Sequence, residues 1–337
     1  MDTEVLENTS VLDKNDLFRV VGPDEGDLRL DRWFKRHFSV LTHGQLQKWL
    51  RKGQIRVDGK RVDSSYRVQS GQQIKVPSAL IRAPQFAQEA PRTGRPVRNI
   101  EALRKMILFE DDDLLVLNKP AGLAVQGGTG LKENLDDSLM VFSCDGTMRP
   151  KLVHRLDKDT SGVLLIARND FSAAKLAKSF RQHTSQKIYW ALTCGVPEQN
   201  EGDITAPLVK HGQLMAVAEV GEEGQKKAAT LYRLADQAGK KASFLVLWPL
   251  TGRTHQLRVH LAHRGIPIYG DPLYNHEESD LPADELGKGL HLHARRIIVP
   301  HPRGGTIDVT APLGGEMKKT WKWFGFDENT DLSFDDE

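Results

Sequence analysis

Apolar positions in the first third of the chain recur at helical spacing. Within residues 28–38, Leu30, Trp33 and Phe34 fall at i, i+3 and i+4 and share one helical face, while Arg32, Lys35 and Arg36 share another. After Thr42, a suitable N-cap, residues 43–53 repeat the design, with Leu46, Trp49 and Leu50 inward and Lys48, Arg51 and Lys52 outward. Gly53 is the expected helix stop. Residues 54–63 form two short alternating runs around Asp58-Gly59, a strong hairpin signal, and a strand over 72–76 follows Gly71. From about residue 106 the pattern changes. Apolar runs predict strands over 106–109, 113–118, 162–168, 187–193 and 243–248. Between them lie amphipathic helices over 171–183 and 254–265, the second capped by Thr254 and stopped by Gly265. Residues 78–105 mix Pro, Gly and Arg without apolar period and read as a linker.

The length of 337 residues favours two domains. With 39% hydrophobic and 27% charged residues the chain has an ordinary globular composition. No apolar stretch approaches the roughly 18 residues of a membrane-spanning helix, so no membrane partner is expected. Cys144 and Cys194 are too few for a disulfide scaffold or a cysteine-rich zinc site and fit a reducing compartment. The acidic N-terminus has no apolar core and reads as neither signal nor transit peptide. These features predict a soluble, cytoplasmic protein.

Charge adds something the apolar pattern does not show. The net +2 conceals a basic segment, residues 27–105, with eighteen Lys/Arg against six Asp/Glu. Residues 1–26 carry two against seven, and residues 327–337 carry none against six. Both ends are expected to be disordered acidic tails. A compact basic module between acidic ends is the footprint of a polyanion binder, with a solvated Lys-rich surface as the other reading.

Neither a GxxxxGK[ST] loop nor a GxGxxG fingerprint occurs, which argues against P-loop hydrolysis and Rossmann-type dinucleotide binding. Asn118-Lys119-Pro120 falls short of a guanine-recognition motif, because Ala121 stands where a carboxylate is needed. Three polar clusters remain. The first, His154-Arg155-Leu156-Asp157-Lys158-Asp159-Thr160-Ser161-Gly162, sets two carboxylates among cations directly before an apolar strand. Such a turn can hold an ionised nucleophile or base, and it can equally be a solvated turn whose aspartates cap amides. The second centres on Tyr189 in an alternating strand, a position most often occupied by core packing. The third runs from 251 to 265, with Arg253 in a turn and His255, Arg258, His260 and His263 on a helix. Its spacing matches no metal-ligand pattern, and Arg258 would repel a cation, so no metal is expected.

Taken in order, HRLDKDTSG, KIYWAL (187–192), GRTHQLRVH (252–260) and PIYGDPLY (267–274) resemble the RluA-type pseudouridine synthases. NKPAGLAVQGGTG (118–130) is similar to the strand and loop that precede the first motif of that family. The basic module at 27–77 resembles the S4-type RNA-binding domain. The resemblance spans about 28 to 320, and the AVQGGTG loop with the N-terminal module points to the C-type branch that modifies large-subunit (23S) ribosomal RNA.

The resemblance implies an α+β protein. A small α/β S4-type domain (27–77) and the linker (78–105) would precede a catalytic domain (106–326) on a mixed, largely antiparallel sheet, with tails at 1–26 and 327–337. It implies isomerisation of uridine in RNA with base flipping and no cofactor. Asp157 maps onto the essential aspartate, Arg258 onto the basic residue that pairs with it, and Tyr189 onto the tyrosine packed against the target uracil. Arg155 maps onto the arginine that fills the RNA stack. His154, Thr160, Ser161 and Gly162 would shape the turn presenting Asp157. Arg253 and the module's Arg32, Lys35, Arg36, Lys48, Arg51 and Lys52 would contact RNA. The implied partner is large-subunit ribosomal RNA or a pre-ribosomal particle, bound by a monomer.

Overall fold

The computed structural model describes residues 16–38, 41, 43–77, 95–96, 100–127, 133–143, 146, 148–182, 184–212, 214–275, 280–330 and 334. The chain divides into two compact units, Met1–Arg92 and Thr93–Glu337.

In the first unit, strands β1 (Asp16–Val20), β2 (Arg56–Val57) and β3 (Gln73–Pro77) form an antiparallel sheet in the order β1-β3-β2. Helices α1 (Leu30–His37) and α2 (His43–Arg51) supply its apolar cover. Leu30, Trp33 and Phe34 are fully buried with Ile55, Val68, Ile74 and Val76, as the periodicity requires. Asp58 and Gly59 both take positive φ, 47° and 73°, and the Val57 and Lys60 backbones exchange hydrogen bonds across them. Only the first arm of that expected hairpin joins the sheet, because Asp58 turns its carboxylate to the amide of Gln73 and locks β2 onto β3 instead. The strand β1 corrects the expectation that 1–26 is one disordered tail. Its residues pair along the whole of β3, from Asp16–Pro77 to Val20–Gln73. Residues 1–15 of that tail, and the Thr42 cap, lie outside the described residues.

The second unit begins with β4 (Arg95–Pro96), α3 (Ile100–Arg104), β5 (Ile107–Glu110), β6 (Leu114–Lys119) and β7 (Glu133–Asn134). Next come β8 (Lys151–Leu152), β9 (Ser161–Ala167), α4 (Asp170–Arg181), β10 (Gln186–Cys194), β11 (Glu201–Thr205), β12 (Leu208–His211) and β13 (Leu214–Val217). The unit closes with β14 (Ala229–Ala238), β15 (Ala242–Pro249), α5 (Gln256–His263), β16 (Leu292–Pro300), β17 (Thr306–Thr310) and α6 (Gly315–Phe324). Its main sheet runs β11-β14-β15-β10-β16-β9-β6-β5, with β17 on β16 and β8 on β9. Every pairing in it is antiparallel except β9 with β16, which confirms the mixed, largely antiparallel α+β architecture. The strands are apolar on both faces because both faces are covered. Ile188, Trp190 and Leu192 of β10 pack with Met317 and Trp321 of α6, while Tyr189 and Ala191 point to the face that holds Leu257 and Leu261 of α5. Among the described residues no helix is long and apolar enough to cross a membrane.

Two further expectations are corrected. The linker 78–105 holds β4 and α3, with Leu103 of α3 buried; its residues 78–94 and 97–99 lie outside the described ones. In the C-terminal tail Phe334 is 9% exposed and packs on Trp248, with ring centroids 5.8 Å apart, because an apolar ring next to a core cleft is better buried than solvated.

Candidate active site

A rung across three central strands fixes the site. Ala294 of β16 pairs with Gly162 of β9 on one side and with Tyr189 of β10 on the other. The β10–β16 register shifts beside Tyr189, a bulge of the kind that re-aims a side chain. Gly162 adopts φ 107°, and a Cβ there would lie 2.1 Å from the Ala294 carbonyl oxygen, so glycine alone allows the two strands to meet.

The turn ahead of β9 is held from several sides. β8 leaves β9 after Leu152, and the next free ladder donor, the Leu165 amide, is taken by Nε2 of His154 at 2.8 Å. Burial, reinforced by Lys187, pushes the His154 pKa down to about 3, so it stays a neutral acceptor. Ser161 is fixed through His293: Nε2 of His293 donates to the Ala311 carbonyl at 3.2 Å, leaving Nδ1 to accept the Ser161 hydroxyl at 2.8 Å. Beneath the turn, the fully buried Lys119 donates from Nζ to the carbonyls of Pro120, Leu123 and Lys158, each at 2.9 Å. Burial pushes this ammonium down to about 7, while Asp159 and Asp157 pull the other way. Its third bond ties the buried amine to the residue next to Asp157.

The opposite wall comes from the loop between β15 and α5. Gln256 is buried and uses all four of its hydrogen-bonding positions. Oε1 accepts from the Thr251 hydroxyl and the Arg253 amide, and Nε2 donates to the Ala229 carbonyl and to Thr230 Oγ1. Helix α5 starts at Gln256 and not at the expected Thr254; His255 is the N-cap residue, with φ 53°. His260 bonds Thr230 and Ala206 in the interior, away from His255.

These walls enclose a cavity of about 270 Å³. Asp157, Tyr189 and Arg258 line it, as do His154, Arg155, Thr160 and Arg253, so the sequence-derived set from the three clusters converges on one place. Ser161 and Gly162, expected in the same turn, are not among its lining residues and open β9 instead. Asp157 has a side chain 22% exposed, with His255 Nε2 4.0 Å from its Oδ2. Burial, with Asp157 adding to it, holds the Tyr189 hydroxyl well above the ordinary tyrosine range, so it keeps its proton.

One pairing differs from the expectation. The partner of Arg258 is Asp271, not Asp157: Nε and Nη2 bind its two carboxylate oxygens at 2.7 and 2.6 Å, with both side chains buried. Asp271 also accepts the amides of Leu273 and Tyr274, and these contacts give a buried guanidinium the bidentate acceptor it needs. Burial lowers and Asp271 raises the Arg258 pKa; Asp157 contributes only through its charge.

Sequence reasoning missed Lys187, half-buried on the cavity wall with Nζ 5.7 Å from the Phe180 ring centre. Among the described residues its ammonium has no hydrogen-bond or ion-pair partner, and burial depresses its pKa. Its place before Tyr189 in a strand of known pattern was the only available signal. Among the described residues, the cavity lining therefore holds one carboxylate, a neutral phenol and several cations, a set able to act on a polyanion at a single nucleoside. In the other unit, Arg32, Lys35, Arg36, Lys48, Arg51 and Lys52 are all exposed. Arg36 lies 3.9 Å from Glu25; the others have no carboxylate partner among the described residues.

Comparison with known proteins defines the class. The RNA pseudouridylate synthase family profile matches residues 113–263 and the S4 domain profile matches 28–74. With relatives at 34% identity over 89% of its length, the chain belongs to the pseudouridine synthases, enzymes that isomerise uridine in RNA. Two of these relatives carry the same designation. One is the ribosomal large subunit pseudouridine synthase C of Salmonella typhi, 34% identical over 89% of this chain and 93% of its own. The other is its counterpart from Pasteurella multocida, 35% identical over 89% and 91%. A solved structure, human RNA pseudouridylate synthase domain containing 4, superposes with a TM-score of 0.57 at 28% identity, covering 67% of this chain and 95% of that one.

Proposed function

We propose that this enzyme converts uridine to pseudouridine in large-subunit ribosomal RNA, free or in an assembling particle, with Asp157 as its catalytic carboxylate. The observation that carries this reading is the convergence of Asp157, Tyr189 and Arg258 on one cavity. The similarity to synthases named for the large ribosomal subunit supports the substrate.

The reaction breaks the bond between ribose C1′ and uracil N1, turns the base, and joins C1′ to C5. The proton lost from C5 balances the one gained at N1, so neither oxidant nor cofactor is required. A uridine has to leave its helix to reach Asp157, at a cost of a few kcal/mol. Arg155, exposed at the rim, fills the gap it leaves in the stack. Tyr189, neutral and carried on a rigid strand, packs against the extruded base. Asp157 provides the negative charge at the ribose–base bond during cleavage. Lys187 and Arg253 meet the phosphates on either side of the flipped nucleotide, and the exposed cations of the S4 domain hold RNA further along. Neither metal nor membrane takes part, and the enzyme works as a monomer in the reducing cytoplasm to which its cysteine usage points.

Purified protein incubated with an unmodified large-subunit ribosomal RNA transcript should create pseudouridines, detected by carbodiimide labelling and primer extension. Asp157→Asn should bind the transcript and leave it unmodified. Sites that persist in the variant would remove Asp157 from the chemistry. A wild type without product on either free RNA or assembling particles would remove the substrate assignment.

A further inference from the structure

His255 stands between Asp157 and a tyrosine the mechanism leaves unused. The Tyr274 oxygen accepts the Met215 amide at 3.1 Å and lies 2.8 Å from His255 Nδ1. Among the described residues its hydroxyl proton has a single acceptor, that Nδ1. A neutral imidazole that accepts at Nδ1 carries its own proton on Nε2, and Nε2 is the atom 4.0 Å from Asp157 Oδ2. Burial keeps His255 below its ordinary pKa despite Asp157, and the nearby Arg258 works in the same direction as burial. The backbone also bears on this, since φ 53° lies in the left-handed region, which a residue with a side chain occupies only where its surroundings impose it.

We propose that His255 is a positioning residue that donates Nε2–H to Asp157 once RNA is bound, and that Tyr274 fixes the tautomer which makes this possible. The inference rests on the reading of Asp157 as the reacting carboxylate. A separation of 4.0 Å is longer than a closed hydrogen bond, but such bonds are commonly long without substrate and shorten in the complex. Arg258 is not found in this role: Asp271 holds its guanidinium through Nε and Nη2, and among the described residues no hydrogen bond or ion pair joins it to Asp157. The charged and titratable groups around His255 are Asp157 and Arg155 from the turn before β9, Arg258 from its own helix, and Asp271 and Tyr274 from the segment after α5.

The test is single-turnover pseudouridine formation on the ribosomal transcript across a pH series, with wild type, His255→Asn and Tyr274→Phe. Asparagine tolerates the left-handed backbone yet is too short to reach Asp157. Loss of one hydrogen bond to a charged group should slow H255N about 10- to 100-fold at neutral pH, with little change in KM. It should also move the acid limb of the profile upward by about one unit, because Asp157 would protonate more readily. Y274F should shift the limb in the same direction by less. A limb that stays in place in H255N, at whatever rate, shows a structural role only and overturns the proposal. Wild type inactive on the transcript would instead overturn the functional reading beneath it.

Discussion

Gly162 has no space for a side chain. A Cβ would lie 2.1 Å from the Ala294 oxygen and 2.7 Å from the Ala294 nitrogen, and φ 107° is strained for any other residue. Gly162→Ala should therefore destabilise the catalytic unit by about 3 kcal/mol or more, since overpacking and backbone strain add. Activity should fall further than stability explains, because Asp157 precedes the same strand; a denaturation midpoint near wild type would refute this. Asp271 is a second sensitive point. Asp271→Asn leaves a buried guanidinium without its counter-charge, and breaking such a pair costs about 3–5 kcal/mol. Its thermal unfolding temperature should drop sharply, and replacing Arg258 and Asp271 together by apolar residues should recover part of the loss. Asp157, Tyr189 and Arg258 were legible only through the resemblance of their motifs to a known family, because the residues alone left a solvated turn and core packing open. The structure brings all three to one cavity. The Arg258–Asp271 pairing was not legible, because both residues fit motifs of their own and the turn that joins them depends on packing. The left-handed conformation of His255 left no trace in the residue type.

Among elements, the strands that read correctly were those buried on both faces, since continuous runs such as Leu114–Leu117 and Val163–Ala167 need no partner to be recognised. The strand β1 was hidden for the opposite reason. Leu17, Phe18 and Val20 make only a short apolar run among acidic residues, with Phe18 and Val20 exposed on an edge strand, so the charge of the segment outweighed it. The C-terminal segment was misread by its charge, which outweighed one aromatic ring. Phe334 packs on Trp248, and the Arg233 guanidinium sits 5.5 Å from its ring centre. Phe334→Ala should cost about 3 kcal/mol in urea unfolding, whereas a disordered tail would tolerate the change with no shift in midpoint.

At the scale of the whole molecule, long-range pairing is what the sequence withheld. Residues 161 and 293 lie far apart along the chain, yet they join the two halves of the sheet at its parallel seam, where Ser161 and His293 are hydrogen-bonded. That seam and its surroundings bury histidines that have to stay neutral. Burial pushes His291 and His293 down to about 4 and His154 to about 3, against an ordinary 6.5. Below pH 6.5 the unfolded chain takes up protons that the folded chain refuses, so stability is greatest above 6.5 and falls as the pH drops toward 4. Each histidine contributes a slope of up to about 1.4 kcal/mol per pH unit, so the three together reach about 4 kcal/mol per unit. Urea midpoints should therefore fall steeply between about pH 6.5 and pH 5, with m nearly constant. His291→Gln, which keeps a polar group beside Thr320 without a titrating ring, should lower stability at neutral pH and flatten that slope by up to about 1.4 kcal/mol per pH unit. An unchanged slope in H291Q would show that His291 is not held neutral, and a midpoint independent of pH in wild type would show that the interior tolerates the imidazolium, so that the neutral tautomers assigned to His154 and His293 behind Asp157 would have to be abandoned.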